Sequence, residues 1–277
     1  MFKVHSPLKW EEELAEVSAG DRNISDLAVA SASEAFKDWA NLSPQERASF
    51  LYRLADLIDM EVPNIARVEC TDMAMRYESL LNRVIPRGAR NFRAYADLAS
   101  EYQGRVWDSN GTTNLIQRLP AGPTVIITPW NAPFMLATWK VAPALAAGNT
   151  VVLKPAEWAP LSASILADLV EQAGFPPGVF NVVQGTGEEA GSFLTEHPKV
   201  RRISFTGSCE TARTIGIEAA KNIVPFTAEL GGKGALVVLQ DADVEQAAIT
   251  AAGQYDDSGQ VCLAATRLIV ADQISEH

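Results

Sequence analysis

An α/β fold is expected from the sequence, with an open parallel sheet covered by helices on both faces, a helical segment before it and the start of a second α/β domain after it. Three observations predict this. Apolar residues between 26 and 101 recur at spacings of three and four. From residue 124 short apolar runs alternate with amphipathic stretches long enough for crossovers, and polar and glycine residues gather directly after those runs.

In the first segment the helical period is carried by Leu51, Leu54, Leu57 and Ile58, then by Leu80, Leu81 and Val84. Ser43-Pro44-Gln45-Glu46 is a start signal, with a serine cap, proline in the first turn and Glu46 placed to complete a capping box. The alternation in Asn114–Leu119 predicts a short exposed strand, ended by Pro120-Ala121-Gly122-Pro123. The strands expected next are TVIIT (124–128), NTVVLK (149–154), VFNVVQ (179–184), RRISFT (201–206) and ALVVL (235–239), with helices at 133–147, 162–173 and 209–220 between them. This is the punctuation of a Rossmann-like sheet, in which ligands bind beyond the C-terminal strand ends. A last strand, RLIV (267–270), has few partners of its own, so a second domain is expected to have only begun.

Composition narrows the function. A chain of 277 residues with 47% hydrophobic and 21% charged residues is of globular type, and its net charge of −11 leaves no basic stripe for nucleic acid or an anionic membrane. MFKVHSPLKWEEEL lacks the apolar core of a secretion signal, and no apolar run reaches membrane-spanning length, so a cytoplasmic protein is expected. Cys70, Cys209 and Cys262 are an odd number without CxxC spacing, which argues against disulfides and structural zinc. His5, His197 and His277 are scattered and no HExxH occurs, so no metal site is expected.

The strand ends carry Pro129-Trp130-Asn131, Lys154-Pro155-Ala156-Glu157, Thr206-Gly207-Ser208 and Glu229-Leu230-Gly231-Gly232-Lys233. Glu157 can accept from adenosine ribose hydroxyls and would repel a 2′-phosphate, favouring NAD over NADP, with Lys154 helping; the alternative is a solvated surface pair. Thr206-Gly207-Ser208 leads into a helix whose N-terminus can face a pyrophosphate, or is a simple cap. Gly185-Thr186-Gly187-Glu188-Glu189-Ala190-Gly191 misses the GxGxxG fingerprint by one residue and reads as a strand-to-helix turn that at most borders the adenine. Taken singly, Cys262 reads as a core thiol, Glu229 as a salt-bridged loop acid and Asn131 as a turn residue.

Together, TPWNAPF, KPAEWAP, FTGS, ELGGK and GQVC resemble the aldehyde dehydrogenase superfamily, in order and at about its spacing, over essentially the whole chain. The resemblance implies a cofactor domain with an open parallel sheet, a catalytic domain and a bridging element used for homo-oligomerisation. On this chain it implies residues 1–229 as the NAD-binding domain (helices 1–103, bridging strands 104–120, sheet 121–229) and 230–277 as the beginning of the catalytic domain. Cys262 matches the nucleophile, Glu229 the general base and Asn131 the oxyanion-stabilising amide. Thr128, Pro129, Trp130, Lys154, Glu157, Gly187, Phe205, Thr206, Gly207, Ser208 and Leu230 match cofactor contacts.

The implied chemistry is oxidation of a small aldehyde by NAD to the carboxylic acid, through a thiohemiacetal and thioester on Cys262, with a Glu229 carboxyl whose pKa is raised by burial activating the water. ITPWNAPFMLATWKVAPALAAG is most similar to members acting on hydroxymuconic-type semialdehydes. Two departures stand out. Asp257 and Asp256, after Tyr255, replace the family's asparagine and aromatic before the nucleophile, and family members run nearly twice this length. A non-catalytic nucleotide-binding fragment is the competing expectation. A CoA-acylating relative is disfavoured by Glu229.

Overall fold

The computed structural model describes residues 1–101, 104–256 and 259–275. It opens on an antiparallel hairpin of β1 (Phe2–Ser6) and β2 (Lys9–Val17), which the sequence did not announce. The glutamates of KWEEELAEV leave no apolar alternation, and the hairpin fully buries only Val4 and Ser6.

The helical segment is α1 (Arg22–Asn41), α2 (Pro44–Met73), the single turn α3 (Tyr77–Ser79) leading into a π turn, and α4 (Pro86–Glu101). The capping box at α2 forms as expected: Glu46 N donates to Ser43 Oγ at 3.2 Å and Ser43 N to Glu46 Oε2 at 2.7 Å. Ala74, in the left-handed region at φ 61°, ends α2 and divides the segment that the periodicity joined. A hairpin of β3 (Arg105–Ser109) and β4 (Thr112–Ile116) follows, with Asn110 and Gly111 at positive φ in its two-residue turn.

The central sheet is parallel throughout, in the order β7–β6–β5–β8–β9, built from β5 (Thr124–Ile127), β6 (Val151–Lys154), β7 (Phe180–Val182), β8 (Arg202–Gly207) and β9 (Phe226–Leu230). Its crossovers carry α5 (Pro133–Ala146), α6 (Leu161–Gln172), α7 (Ser192–Glu196) and α8 (Cys209–Lys221). Side-chain alternation divides the core in two. Ile126, Val151 and Leu153 pack with α2, α4, α5 and α6, while Val125, Ile127, Val152, Ile203 and Phe205 pack with residues of α1, α7 and α8. Each fully buried aliphatic contributes about 1.5–3 kcal/mol.

The last two expected strands stand apart from the central sheet. The 235–239 run is β10 (Ala235–Val238), which leaves the central sheet and pairs in parallel with β11 (Arg267–Val270) in a separate two-stranded sheet, with α9 (Val244–Ala252) between them. The fifth position of the central sheet goes to FTAEL, which lies beside β8 in register but has a polar residue at every second or third place, so an apolar-run criterion passes over it. Among the described residues no helix is long and apolar enough to cross a membrane.

Candidate active site

Parallel strands in register place paired residues on one face, so Ile126, Ser204 and Thr227 share a face, as do Thr206 and Glu229. Over β5 that face is covered by α5. Over β8 and β9 it is polar, and Arg202, Ser204, Thr206, Thr227 and Glu229 form with Trp139 and Lys140 of α5 a cleft of about 720 Å³ that reaches Cys262. Lys140 Nζ donates to Ser204 Oγ at 3.0 Å, and Arg202 Nη2 donates to Thr227 Oγ1 at 2.7 Å. Burial pulls the Lys140 pKa down, opposed by the nearby Glu229 carboxylate. Sequence reasoning missed Lys140, although it is the sole charge in the otherwise apolar helix PFMLATWKVAPALA.

Cys262 is exposed, which overturns its reading as a core thiol. Its loop is held through two of its backbone carbonyls: the side-chain Nδ2 of Asn131 donates to Gln260 O at 2.6 Å, and the backbone N of Gly232 donates to Cys262 O at 3.1 Å. Ala265 N donates to Gln254 Oε1 at 2.9 Å, closing the far end. A second cleft, of about 230 Å³, joins Cys262 to Asn131, Trp139, Arg83 and Arg87. Glu229 is also exposed, so the burial that the sequence argument asked of the base is not supplied by the described residues. Asp256 lies in an exposed turn before the loop, and Asp257 lies outside the described residues.

Asn131 precedes α5, whose N-terminus is fixed from α2. Glu69 Oε1 accepts from Phe134 N at 2.5 Å and from Ser162 Oγ at 2.6 Å, while Asp72 Oδ2 accepts from Leu161 N at 3.0 Å. Two carboxylates thus cap the starts of α5 and α6 from a neighbouring helix. Burial pushes both up to about 7, Glu69 against its two hydrogen bonds and Asp72 against one. Glu69 Oε2 and Asp72 Oδ1 have no hydrogen-bond partner.

The residues expected to contact a cofactor lie at or beyond the C-terminal ends of β5, β6, β7, β8 and β9. Lys154 and Glu157 are not a solvated pair: Nζ–Oε2 is 2.8 Å and the Lys154 side chain is 2% exposed against 33% for Glu157. Burial lowers the Lys154 pKa and would raise that of Glu157. In Glu157 the Lys154 ammonium and backbone N–H groups, including that of Gly187, outweigh burial and hold the carboxyl below its ordinary value. Gly187 therefore serves Glu157 directly, in the π turn at the start of the strand-to-helix connection. Glu157 and Trp130 line one cleft of about 380 Å³ with Thr186 and Gln260.

Thr128 and Phe205 are buried, with Thr128 Oγ1 unpartnered; Pro129 and Leu230 are half-buried. Gly207 is required by packing, since a Cβ there would lie 2.5 Å from the Phe205 ring. Ser208 caps α8 by accepting from Thr211 N at 3.1 Å, so its hydroxyl is already engaged at that helix start.

The family model for the aldehyde dehydrogenase family matches residues 1–277. Among curated relatives, the 5-carboxymethyl-2-hydroxymuconate semialdehyde dehydrogenase of Escherichia coli is 42% identical over 267 residues, and the 2-hydroxymuconic semialdehyde dehydrogenase of Pseudomonas sp. (strain CF600) is 42% identical over 273. Each comparison covers 95% of this chain and 56% of the relative, so the chain spans little more than half of their length. The crystal structure of PnpE in complex with nicotinamide adenine dinucleotide superposes with a TM-score of 0.97 at 39% identity, covering 99% of this chain and 57% of that one. With its parallel sheet, its strand-end motifs and this match over its whole length, the chain belongs to the aldehyde dehydrogenase family.

Proposed function

We propose that the chain carries the thiol, amide and base of an NAD-dependent oxidation of an aldehyde to its carboxylic acid. The observation that carries this reading is that Glu229 and Cys262 line one cleft while Asn131 lines the adjoining one with Cys262. In this reading Cys262 Sγ adds to the aldehyde carbonyl carbon. The Asn131 amide has two N–H bonds; one holds Gln260 O, and the other can donate to the oxyanion together with the Cys262 peptide N–H. After oxidation leaves a thioester on Cys262, Glu229 takes the proton of the attacking water and the acid is released.

The strand-end residues fit NAD. The Glu157 carboxylate is fixed by Lys154 and Gly187, and such a carboxylate suits ribose hydroxyls and repels a 2′-phosphate. The N-terminus of α8 offers N–H groups to a pyrophosphate. Thr128, Pro129, Trp130, Thr206, Gly207, Ser208 and Leu230 complete the proposed contacts, whereas the Phe205 side chain is taken up by the apolar layer beneath α8 and is left out of them; a domain boundary falls near residue 230. When bound, NAD supplies the acceptor for the hydride that leaves the thiol adduct.

The substrate is inferred to be a semialdehyde that carries a carboxylate. The relatives' names denote muconate skeletons with one end at the aldehyde level, and Arg83 and Arg87 give the Cys262 cleft a cationic wall. The β3–β4 hairpin exposes Val106, Trp107, Leu115 and Ile116, which supports assembly with further copies. The exposure of both Glu229 and Cys262 favours a second reading, nucleotide binding without turnover.

The test is NADH formation by the purified chain with a panel of semialdehydes, beside Cys262→Ala and Glu229→Gln. Turnover lost in both variants supports the first reading. NAD binding with no turnover selects the second, and acyl-CoA as the main product when CoA is present overturns the hydrolytic step.

A further inference from the structure

We propose that Gly232 is a positioning residue for the nucleophile. Its N–H holds the carbonyl of the Cys262 peptide, and its bare Cα makes the room for that carbonyl, so the strand that carries Glu229 also sets where the thiol stands. The inference deepens the reading of Cys262 as nucleophile and rests on it.

Gly232 follows Glu229 by three residues, just past the end of β9, and donates to Cys262 O at 3.1 Å. A Cβ on Gly232 would lie 2.7 Å from that same oxygen. The neighbour is backbone, which cannot rotate aside as a side chain can. Gly232 does not sit in the left-handed region, so space and not backbone conformation demands a glycine. Its neighbour Gly231 is different, because a Cβ there meets nothing within 4 Å.

The contact belongs to a longer approach. Gly234 would bring a Cβ to 3.3 Å from Ala264 O, Arg267 Nη2 donates to Lys233 O at 2.8 Å, and the β10–β11 ladder then begins at Ala235 and Arg267. Four residues separate Cys262 from Arg267, but only two separate Gly232 from Ala235, so the nucleophile loop bows out of the ladder as a bulge does. Gly232 pins one side of the bow and Asn131, through Gln260 O, the other. Both carbonyls that flank Val261 are thereby engaged.

The experiment alkylates the full chain with iodoacetamide, without cofactor, and follows Cys262, Cys209 and Cys70 separately by peptide mapping. In Gly232→Ala the Cys262 rate should change at least fivefold while Cys209 and Cys70 stay within twofold of wild type; Gly231→Ala should leave all three within twofold. Where turnover is measurable, Gly232→Ala should lower kcat at least tenfold and move KM for NAD less than threefold. A Cys262 rate within twofold of wild type in Gly232→Ala overturns the proposal. Should that variant unfold, amide exchange in the wild type decides: a Gly232 N–H protected well beyond that of Gly231 supports the proposal, and equal exchange overturns it. These thiol and amide readouts stand even if the wild type shows no turnover, the result that would sink the proposed activity itself.

Discussion

The side-chain amide of Asn131 donates to the carbonyl oxygen of Gln260 at 2.6 Å, across 129 residues of sequence and two residues before the thiol. One group therefore anchors the loop, and in the proposed reaction its second N–H would donate to the aldehyde oxygen. Replacing Asn131 by Ala should cost about 10²–10³ in kcat, the usual loss of one oxyanion donor, and should also speed alkylation of Cys262 as its loop is released. Steady-state kinetics showing less than a tenfold loss would exclude the amide as that donor.

Stability should fall as pH rises through neutrality. Glu69 and Asp72 both have folded-state values of about 7, above their ordinary carboxylate range, so the fold favours their protonated forms. That contribution is fully present below the unfolded values and is lost as pH rises through about 7. Melting temperature should therefore drop between about pH 5 and pH 8, a window above the one in which the lowered carboxyls of Glu46 and Glu157 titrate. Glu69→Gln keeps an acceptor for Phe134 N and removes one titration, so its melting curve should depend less on pH. An unchanged slope would assign the effect elsewhere.

Glu157→Gln leaves the Lys154 ammonium buried with a neutral partner. Breaking a buried pair costs about 3–5 kcal/mol, and the one-third exposure of Glu157 reduces that to about 2 kcal/mol. The variant should melt several degrees lower and bind NAD more weakly while discriminating less against NADP, which calorimetry reads directly. Retained discrimination would remove Glu157 from the ribose site.

Arg87 lies over the Trp139 ring at 5.2 Å and lines the Cys262 cleft. Arg87→Ala should raise KM for a carboxylate-bearing semialdehyde about tenfold, a loss of about 1.4 kcal/mol, and leave KM for an uncharged aldehyde nearly unchanged. Equal effects on both substrates would mean that the arginine shapes the wall without reading charge.

Legibility in the sequence followed periodicity. TVII, VVLK and RISFTG announce strands because each holds apolar residues on at least one buried face, and Ser43 with Glu46 announces a helix because the cap is local. β9 is obscured because Thr227 and Glu229 face the cleft, and the pairing of the 235–239 run is obscured because its partner lies 32 residues on. The motif residues were found by type and order. Gly232, Glu69 and Lys140 escaped because their work depends on approaches that no local spacing encodes: a carbonyl 30 residues away, a helix start 65 residues away and a serine 64 residues away.

Strand β8 points Ile203 and Phe205 into the apolar layer beneath α8, and Ser204 and Thr206 into the cleft. Substitutions along these four residues should accordingly sort into two phenotypes with a period of two. Polar replacements at 203 and 205 would appear as lost expression or lowered melting temperature, and hydrophobic replacements at 204 and 206 as altered turnover in a protein that still accumulates. A saturation scan of this one short stretch would separate folding from chemistry by the parity of the residue number.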